Sequence, residues 1–383
     1  MSNSVYDVIV IGAGIVGSCT AYHCCKLGLK TLQIEQFNLG HWHGSSHGMS
    51  RITRFVHSHP SYVPIVKDTF EQITEFEAKL GEKLWEKTGM LWTASDEMVD
   101  ILAKASIQTG LEHEVLSSEQ INARFPQMSF GSEWRGIYDP NGGMIYADKW
   151  LKIYQGEYRA LGGLVHENEA FLGVSESNGV TQVTTDKKTY TTLKLVIGAG
   201  TWLQTVLPEI AAVTRLQLER IAVGYWKCKD PQNISLFTTK MPVVIIRDKK
   251  TKRNDNLLPI RDYSDGIKYF ACQGPILDAN DEDVEGKSLS LDIPRANLSV
   301  HFPMIDSSTP LRVDACKFTM SPDKHYVFDW HPKYKNVLIG GCMSGSGFKV
   351  APGLGRALAN LAAGNKSPFD LSIFSLKRFD ELK

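Results

Sequence analysis

Three glycines near the start of the chain have the spacing of a turn that binds the phosphates of a dinucleotide. Gly12, Gly14 and Gly17 follow an apolar, strand-forming run that begins at Tyr6. The first glycine permits a tight turn, the second lets the backbone approach a pyrophosphate, and the third lets the following helix pack closely against the strand. The pattern therefore predicts a strand, a phosphate-binding turn and a helix. A glycine-rich turn without a ligand is the alternative interpretation.

An acidic residue at the end of the next apolar run supports binding of a nucleotide. Glu35 follows the run at residues 31–34 and lies where a ribose-binding acid is expected, roughly 20 residues beyond the glycines. A carboxylate accepts hydrogen bonds from ribose hydroxyls and repels a 2′-phosphate. This position therefore favours FAD or NAD over NADP.

The overall composition excludes several classes of protein. The 383 residues include 42 Lys and Arg and 42 Asp and Glu, so the net charge is zero and gives no electrostatic footprint for nucleic acid or anionic membrane. No apolar run approaches the roughly 20 residues of a membrane span. The first strand begins so early that we expect no signal or transit peptide. We therefore expect an intracellular protein with seven free cysteines and no metal site.

Hydrophobic periodicity predicts the elements around this turn. Apolar residues recur at helical spacing over 62–80, and Gly81 ends that helix. A buried strand at 192–198 ends in glycines, Gly200 among them, and returns the chain to the nucleotide sheet. A last strand at 336–341 precedes a glycine-rich turn and a helix over 352–363. These elements indicate a Rossmann-like nucleotide-binding lobe.

A different pattern separates these segments. Short alternating apolar runs between Pro, Gly and Asp predict an antiparallel sheet over 221–318. Residues 249–253 read as a solvated basic hairpin turn, and residues 278–286 as an acidic loop without calcium-binding spacing. The chain is therefore predicted to be an α/β protein in which a second lobe, built on a mixed or antiparallel sheet, interrupts the nucleotide-binding lobe twice.

The segments at 44–54, 265–269, 315–323 and 345–355 concentrate cationic or nucleophilic side chains. At these segments the chain resembles the monomeric sarcosine oxidase family of flavoprotein amine oxidases, which includes pipecolate oxidases and N-methyltryptophan oxidase. The resemblance extends over essentially the whole chain. Its most specific motif is Cys-x-x-Thr-x-Ser-Pro-Asp at 316–323, and a second is Gly-Phe-Lys at 347–349.

The resemblance implies a fold, a cofactor and a reaction. It implies an FAD-binding lobe at 1–85, 146–220 and 322–383, and a substrate lobe at 86–145 and 221–321. It also implies that FAD oxidises a secondary amino acid and that O2 reoxidises the flavin to give H2O2. A family member is expected to be a monomer, peroxisomal in a eukaryote and otherwise cytoplasmic, although Glu-Leu-Lys at 381–383 is unlike a Ser-Lys-Leu ending.

The same resemblance assigns roles around the flavin. Cys316 matches the cysteine that bonds to the flavin 8α-methyl, and a thiolate is a reasonable nucleophile for that position. Lys268 matches a lysine over the ring near N5, where a fixed cation lowers the barrier for electron transfer to O2. Arg51 would add positive potential beside the ring, and His47 would hydrogen-bond near it. Gly347 is expected among the residues that bind the cofactor.

Arg54 and Lys349 match two cations that hold the carboxylate of the substrate, and Lys349 is also expected to contact the cofactor. A planar guanidinium with a second cation suits a carboxylate. The start of the last helix, near Pro352, would direct its positive end at the flavin C2 carbonyl. The alternatives are unrelated surface charges for the two cations, an exposed strand lysine for Lys268 and a small buried residue for Cys316.

Three positions depart from the sarcosine oxidase pattern, and all fall where the substrate side chain would lie. Cys272 and Ser346 stand where a histidine is expected, and an expected tyrosine has no clear counterpart, with Asn256 or Leu257 nearby. The departures predict a larger or less polar pocket. Sarcosine, L-pipecolate, a proline-like ring and a bulkier N-methyl amino acid all stay open as substrates.

Three other functions compete with an oxidase. A flavin dehydrogenase would pass electrons to another acceptor, and Lys268 argues against it. A catalytically silent flavin-binding protein is the second alternative, because the pocket residues are altered. An NAD-dependent dehydrogenase has only the glycine turn in its favour.

Overall fold

The computed structural model describes residues 5–177, 179–238, 241–264, 266–280 and 289–382. The helices in these ranges are α1 (Ile15–Lys26), α2 (Tyr62–Leu80), α3 (Met98–Gln108), α4 (Ser118–Arg124), α5 (Ala147–Ala160), α6 (Leu203–Val206), α7 (Pro208–Thr214), α8 (Asp292–His301) and α9 (Ala351–Ala362). Short 3₁₀ helices lie at Gly200–Trp202, Pro231–Phe237, Phe348–Val350, Ser372–Phe374 and Leu376–Leu382.

The strands form three sheets. In chain order they are β1 (Tyr6–Ile11), β2 (Thr31–Ile34), β3 (Ser50–Thr53), β4 (Trp85–Glu86), β5 (Met90–Ala94), β6 (Glu114–Ser117), β7 (Arg135–Asp139), β8 (Gly143–Tyr146), β9 (Leu164–His166), β10 (Phe171–Ser177), β11 (Val180–Thr185), β12 (Thr189–Ile197), β13 (Gln217–Trp226), β14 (Val243–Arg247), β15 (Asn254–Leu258), β16 (Ile267–Ala271), β17 (Arg312–Met320), β18 (Val327–Trp330) and β19 (Val337–Gly341).

The first sheet has a parallel core in the order β9-β2-β1-β12-β19. Three antiparallel pairs extend this core: β11 pairs with β12, β10 pairs with β11, and β18 pairs with β19. The last four residues of β1 are all buried, as expected for a parallel strand covered on both faces. Ile11 pairs with Ile34 and with Ile197, so the carboxyl ends of three strands meet at one edge of the sheet. Ligands bind at this edge in open α/β sheets.

Helices α1, α5 and α9 form one packed layer. Ten of the twelve residues of α1 are buried, so this helix is enclosed by protein on nearly all sides. An added Cβ at Gly355 in α9 would lie 2.6 Å from the Cβ of Cys19 in α1. The two helices therefore approach closely because a glycine stands at their contact. The predicted helix over 62–80 is confirmed as α2, and it ends at Gly81 with a left-handed φ of 65°.

The second sheet has the strand order β17-β13-β16-β15-β14-β5-β7-β6. Its pairs are antiparallel except for β14 with β5, which confirms a mixed sheet. The strands predicted between residues 221 and 318 belong to this sheet, β5, β6 and β7 join it from an earlier part of the chain, and α8 interrupts the segment. The basic turn between β14 and β15 is confirmed. Residues 281–286 of the predicted acidic loop lie outside the described residues.

A small sheet of β3, β8 and β4 lies beside the two large ones and carries the segment with Arg51. Asp139 fixes the residues that follow β3, because its carboxylate accepts hydrogen bonds from the N–H groups of Phe55 at 2.7 Å and Val56 at 3.0 Å. The α/β fold class is confirmed. The lobe boundaries stay a prediction: the first sheet takes its strands from 6–34, 164–197 and 327–341, and the second from 90–139 and 217–320.

Candidate functional site

A cavity of about 550 Å³ is lined by residues of both large sheets. Almost every site residue predicted from the sequence faces it, namely Gly12, Gly14, Glu35, His47, Arg51, Arg54, Gly200, Lys268, Cys316, Gly347 and Lys349. Gly17 is the exception. It lies under the turn, where an added Cβ would overlap the carbonyl oxygen of Gly12. The fold thus brings together segments that are far apart in the sequence.

The glycine turn leaves backbone open to the cavity. Gly12 has a φ of +96° and lies so close to Gly198 that a Cβ would be 2.5 Å from its carbonyl oxygen. Gly14 precedes α1 with a φ of −67°, which any residue can adopt. An added Cβ there would point toward Ser46, at 3.0 Å from its Oγ. The absence of a side chain at Gly14 therefore leaves room for a phosphate rather than relieving the backbone.

Glu35 ties the end of β2 to this turn. Its Oε2 accepts a hydrogen bond from the N–H of Ala13 at 2.7 Å, and its Oε1 accepts one from Phe37 at 3.1 Å. Burial raises the pKa of Glu35, and the backbone donors oppose that shift. A carboxylate has about four acceptor positions, so capacity remains for the hydroxyls of a ribose. The residues present therefore fit the predicted dinucleotide.

Lys268 is buried, with 5% of its surface exposed, so the alternative of an exposed strand lysine is wrong. Its Nζ lies 2.9 Å from Oδ2 of Asp262 and 3.2 Å from both the carbonyl oxygen and the Oγ of Ser50. Burial lowers the pKa of Lys268, while the Asp262 carboxylate raises it.

Arg51 and His47 lie in the segment around β3. The Arg51 guanidinium donates to the carbonyl oxygens of Ser50 at 2.7 Å, Ser45 at 3.0 Å and His47, and it lies 5.5 Å from the ring centroid of Phe348. Burial, and then the charge of Arg51, lowers the pKa of His47 to about 4. His47 is therefore neutral at pH 7, and Arg51 carries the positive charge of this segment.

Arg54 and Lys349 are cations that line the cavity. Within the described ranges neither side chain makes an ion pair, and the Nε of Arg54 is buried without a hydrogen-bond partner. The Arg54 guanidinium lies 4.6 Å from the ring centroid of Trp92. Lys349 is 4% exposed and donates to the carbonyl oxygen of Ser346 at 2.8 Å. The alternative of unrelated surface charges is therefore wrong.

Burial and mutual repulsion act on both of these cations. Burial lowers the pKa of Arg54. Burial lowers the pKa of Lys349 well below its ordinary value, and the nearby Arg54 lowers it further. Two like charges in a site of low dielectric repel each other unless an anion lies with them. The pair therefore favours a bound anion.

Cys316 lies on β17 beside Ile221 of β13, is 8% exposed and faces the cavity. All the cysteines in the described residues are free thiols, as predicted. Cys272 faces the same cavity, and burial raises its pKa to about 12. Asn256 donates from Nδ2 to the Cys272 sulfur at 2.7 Å. Cys272, Asn256 and Ser346 thus belong to the cavity that contains Arg54 and Lys349, whereas Leu257 does not face it.

The helix that follows Lys349 begins at Ala351. The N–H of Gly353 donates to Oγ1 of Thr69 at 3.1 Å, and an added Cβ at Gly353 would lie 2.7 Å from the carbonyl oxygen of Ile65. This first turn therefore packs against α2, and Gly353 is not among the residues that line the cavity. The electrostatic role predicted for the start of the helix stays a prediction.

Sequence reasoning missed Asp262, Tyr225 and Trp92. Asp262 is six residues before Lys268 and reaches it only because the intervening loop folds back, so no helical or strand spacing relates the two. Tyr225 is on β13 and donates to Oδ2 of Asp262 at 3.1 Å. Trp92 is on β5, a strand that the sequence did not predict. These residues reach the site because their strands and loops are neighbours in the folded sheet. No local feature of the sequence predicts which strands become neighbours.

No helix in the described part of the chain is long and apolar enough to cross a membrane. Across the same residues, no three or more His, Cys, Asp or Glu side chains gather as a set that could hold a metal ion.

Comparison with known proteins places the chain among flavoproteins. The profile of a family described as FAD dependent oxidoreductase matches residues 7–361. A protein named putative sarcosine oxidase, from Caenorhabditis elegans, is 42% identical, and the match covers 99% of each chain. The peroxisomal sarcosine oxidase of Mus musculus is 35% identical over 98% of this chain and 97% of the relative. The monomeric sarcosine oxidase of Bacillus sp. (strain NS-129) is 29% identical over 99% and 98%.

Solved structures share the fold. NikD, described as an unusual amino acid oxidase essential for nikkomycin biosynthesis, has a TM-score of 0.80 and 19% identity, with 97% of each chain covered. L-proline dehydrogenase from P. horikoshii has a TM-score of 0.81 and 17% identity, with 99% of each chain covered. An oxidase and a dehydrogenase therefore share this architecture, so the fold by itself does not identify the electron acceptor.

The contact expected between the glycine turn and the pyrophosphate of FAD can be tested by substitution. Replacing Gly14 by Ala is expected to weaken non-covalent binding of FAD to cofactor-free protein by at least about tenfold, or ~1.4 kcal/mol, because a methyl group would occupy the approach to the pyrophosphate. Titration with FAD, followed by quenching of flavin fluorescence, measures this affinity.

Gly173→Ala is the matched control, because nothing lies within 4 Å of an added Cβ at that strand position. Both variants are expected to unfold at the temperature of the unaltered protein when FAD is absent. Equal FAD affinity in the Gly14→Ala and Gly173→Ala proteins would show that the turn does not contact the phosphates.

Proposed function

This chain belongs to the family of FAD-dependent oxidoreductases, in the branch that contains the sarcosine oxidases, and we propose that it oxidises secondary amino acids with O2 as acceptor. The observation that carries the proposal is the pair Arg54 and Lys349, two cations that face one cavity without a carboxylate partner among the described residues. The substrate carboxylate is the anion that this pair would bind.

A carboxylate suits the pair better than other small groups. The guanidinium of Arg54 offers a planar fork of donors, and the ammonium of Lys349 adds a point charge. The stacking of Arg54 on Trp92 restricts the direction of the fork. A bound carboxylate would offset the repulsion between the cations and satisfy the unpartnered Nε of Arg54. Each of these effects favours an amino acid over a simple amine.

Residues along the cavity would hold the FAD. Gly12 and Gly14 would admit the pyrophosphate, and Glu35 would accept hydrogen bonds from the ribose. When bound, FAD takes two electrons from the C–N bond of the substrate and passes them to O2. Lys268 and Arg51 would supply positive potential near the reacting ring.

No side chain of this cavity is assigned as a strong general base. His47 has a pKa near 4 and is a weak base, and Lys268 is paired with Asp262. A substrate amine that binds in its neutral form needs no such base. The imine that forms is hydrolysed by water, so sarcosine, O2 and H2O would give glycine, formaldehyde and H2O2.

The substrate side chain would lie against Cys272, Ser346 and Asn256. The Cys272 thiol is protonated at neutral pH, because its pKa is raised to about 12, and it accepts a hydrogen bond from Asn256. Ser346 is held by Tyr326, whose hydroxyl lies 2.8 Å from its Oγ. None of these three side chains carries a charge or an imidazole, and they favour an apolar ring or alkyl group on the substrate nitrogen or α-carbon.

A dehydrogenase that uses another electron acceptor is the second candidate, and the likeness in fold to L-proline dehydrogenase is what favours it. Lys268 at the cavity wall favours O2, because a fixed cation stabilises the negative charge that develops on O2. A monomeric state and an intracellular location, peroxisomal if the source is eukaryotic, are part of the proposal. The names of two relatives support them.

The substrate class can be tested by mixing the FAD-loaded protein anaerobically with sarcosine, L-pipecolate, L-proline and larger N-methyl amino acids. At least one is expected to bleach the absorption band of the oxidised flavin, and admission of air is expected to restore the band with formation of H2O2. If none bleaches the flavin, the protein is not an amino-acid oxidase. If bleaching occurs but only an artificial acceptor restores the colour, the dehydrogenase is supported.

Replacing Arg54 by Gln tests the carboxylate site. The variant is expected to lower kcat/KM for the preferred amino acid by about 100-fold, or ~2.7 kcal/mol, because the substrate carboxylate loses its buried ionic partner. The carboxamide of the same substrate is the control, since it lacks the charge that Arg54 would bind. Its kcat/KM is expected to change little. Equal losses for acid and amide would show that Arg54 acts on folding or on the cofactor.

Cys316 is proposed as the point of covalent attachment to the flavin 8α-methyl. Protein precipitated with acid is expected to keep its yellow colour, because a thioether survives denaturation. The Cys316→Ser variant is expected to release its flavin into the supernatant under the same treatment. Cys342→Ser, which changes a buried thiol just after β19 that does not line the cavity, is the control and should retain the flavin. Complete release of FAD from the unaltered protein would contradict the link.

A further inference from the structure

We propose that Asp262, supported by Tyr225, is a positioning residue that keeps Lys268 charged and fixed at the cavity wall. This inference rests on the proposed function, because it concerns the residue that would face O2. It extends that function to a side chain that does not line the cavity.

The three contacts of Lys268 suit an ammonium group. The Ser50 carbonyl oxygen and the Asp262 carboxylate can only accept hydrogen bonds, at 3.2 Å and 2.9 Å from Nζ. The Oγ of Ser50, also at 3.2 Å, can accept a third. An ammonium group has three N–H donors and no acceptor, so it matches this set. The contacts hold the Nζ between β3 and the loop that follows β15.

Asp262 is itself buried and depends on its donors. Its residue is 8% exposed, and its Oδ2 receives hydrogen bonds from Lys268 and from the hydroxyl of Tyr225 at 3.1 Å. Its Oδ1 has no partner among the described residues. A buried carboxylate without a cation is strongly unfavourable, so Asp262 and Lys268 stabilise each other's charge.

Tyr225 supports the pair in two ways. Burial raises the pKa of Tyr225, so its hydroxyl stays a donor to Asp262 at all ordinary pH values. Its ring centroid also lies 5.8 Å from Nζ of Lys268, within the range of a cation–π contact. The ring of Tyr263 packs edge-on against Tyr225 at 4.6 Å and restricts its orientation.

The groups around Lys268 show why the Asp262 carboxylate is needed to keep Lys268 charged. Arg51 approaches from β3, His47 from the preceding loop, Cys316 from β17 and Tyr225 from β13. Of the described residues, Asp262 is the carboxylate that contacts Nζ. Without it, Lys268 would be buried beside the positive Arg51, and both effects favour loss of its proton. A neutral Lys268 could not stabilise negative charge on O2.

The test compares Asp262→Asn with Lys268→Met and with Asp255→Asn. Asp255 is the matched control: it is a buried carboxylate of the same sheet that accepts a hydrogen bond from Tyr269 at 2.9 Å, and it does not contact Lys268. Each variant is loaded with FAD. The midpoint potential of the flavin is then measured against redox dyes at several pH values, which requires no substrate and no turnover.

The direction of the change in potential distinguishes the two possible roles of Asp262. If Asp262 keeps Lys268 charged, then Asp262→Asn at pH 8 removes both the negative charge of Asp262 and the positive charge of Lys268. Because Lys268 lines the cavity and Asp262 does not, the loss of the positive charge dominates, and the potential falls, though by less than in Lys268→Met. If Lys268 stays charged without Asp262, only a negative charge is lost, and the potential rises. A rise, or no change relative to Asp255→Asn, would overturn the proposal.

The rate of flavin reoxidation by O2 gives a second readout. At pH 8 the Asp262→Asn variant is expected to reoxidise more than about tenfold more slowly than the unaltered protein, and to regain speed as the pH is lowered and Lys268 takes up its proton. Lys268→Met is expected to stay slow at every pH. A pH-independent loss in Asp262→Asn would contradict the proposal.

Folding and the proposed function are checked separately. Asp262→Asn is expected to lower the free energy of unfolding, and the double variant with Lys268→Met is expected to lose less than the sum of the two single variants, because no unpaired charge remains. Strict additivity would show that the two charges are not coupled and would overturn the proposal. The potential and the unfolding cycle stay informative even if no amino acid bleaches the flavin, a result that would refute only the oxidase.

Discussion

The site depends on the burial of like charges around one cavity. Arg51, Arg54, Lys268 and Lys349 all face it. Charges taken out of water require compensation, and here it takes three forms. Backbone carbonyl oxygens surround Arg51, and the Asp262 carboxylate pairs with Lys268. Arg54 and Lys349 have no ion-pair partner among the described residues, and in the proposed function they bind the substrate anion. In the proposed function, the distribution of acceptors, rather than the number of cations, separates the part of the cavity for cofactor and O2 from the part for the substrate.

The fold holds these charges in place through elements that are rigid and far apart in the sequence. Lys268 and Cys316 are on strands of the second sheet, Arg51 is on β3, and Lys349 lies just before α9. The parallel strands of the first sheet present the glycine turn and Glu35 at their carboxyl ends. Repulsion among cations on flexible loops would spread them apart. Strands and a helix with buried faces resist that, so packing energy elsewhere in the protein maintains the electrostatic potential of the cavity.

Sequence reasoning predicted the features that are coded locally. The apolar run before Gly12, the period of residues 62–80 and the basic turn before Asn254 each specify one element through its own residues, and each was found. It did not predict that β5 pairs with β14 or that α8 interrupts the second sheet, because strand pairing and burial depend on distant partners. The residues expected at the site came mainly from the family resemblance. Their burial, the neutral state of His47 and the contact of Asp262 with Lys268 follow from three-dimensional packing that no spacing encodes.

In the proposed function, the Arg54–Lys349 pair binds the carboxylate independently of the residues that form the rest of the pocket. The proposed anion site needs only the two cations, whereas Cys272, Ser346 and Asn256 line the same cavity without contributing charge. Substitutions along that wall alter which ring or alkyl group fits and leave recognition of the carboxylate intact. The proposal therefore assigns substrate class and substrate identity to different residues of one cavity.

The most direct measurement is equilibrium binding of a carboxylate that cannot be oxidised. Propionate and propionamide, titrated into the FAD-loaded protein and followed by the flavin absorption spectrum, differ in charge but hardly in shape. An anion site built by Arg54 and Lys349 predicts that propionate binds at least about tenfold more tightly than the amide. Equal affinities for the acid and the amide would contradict the account.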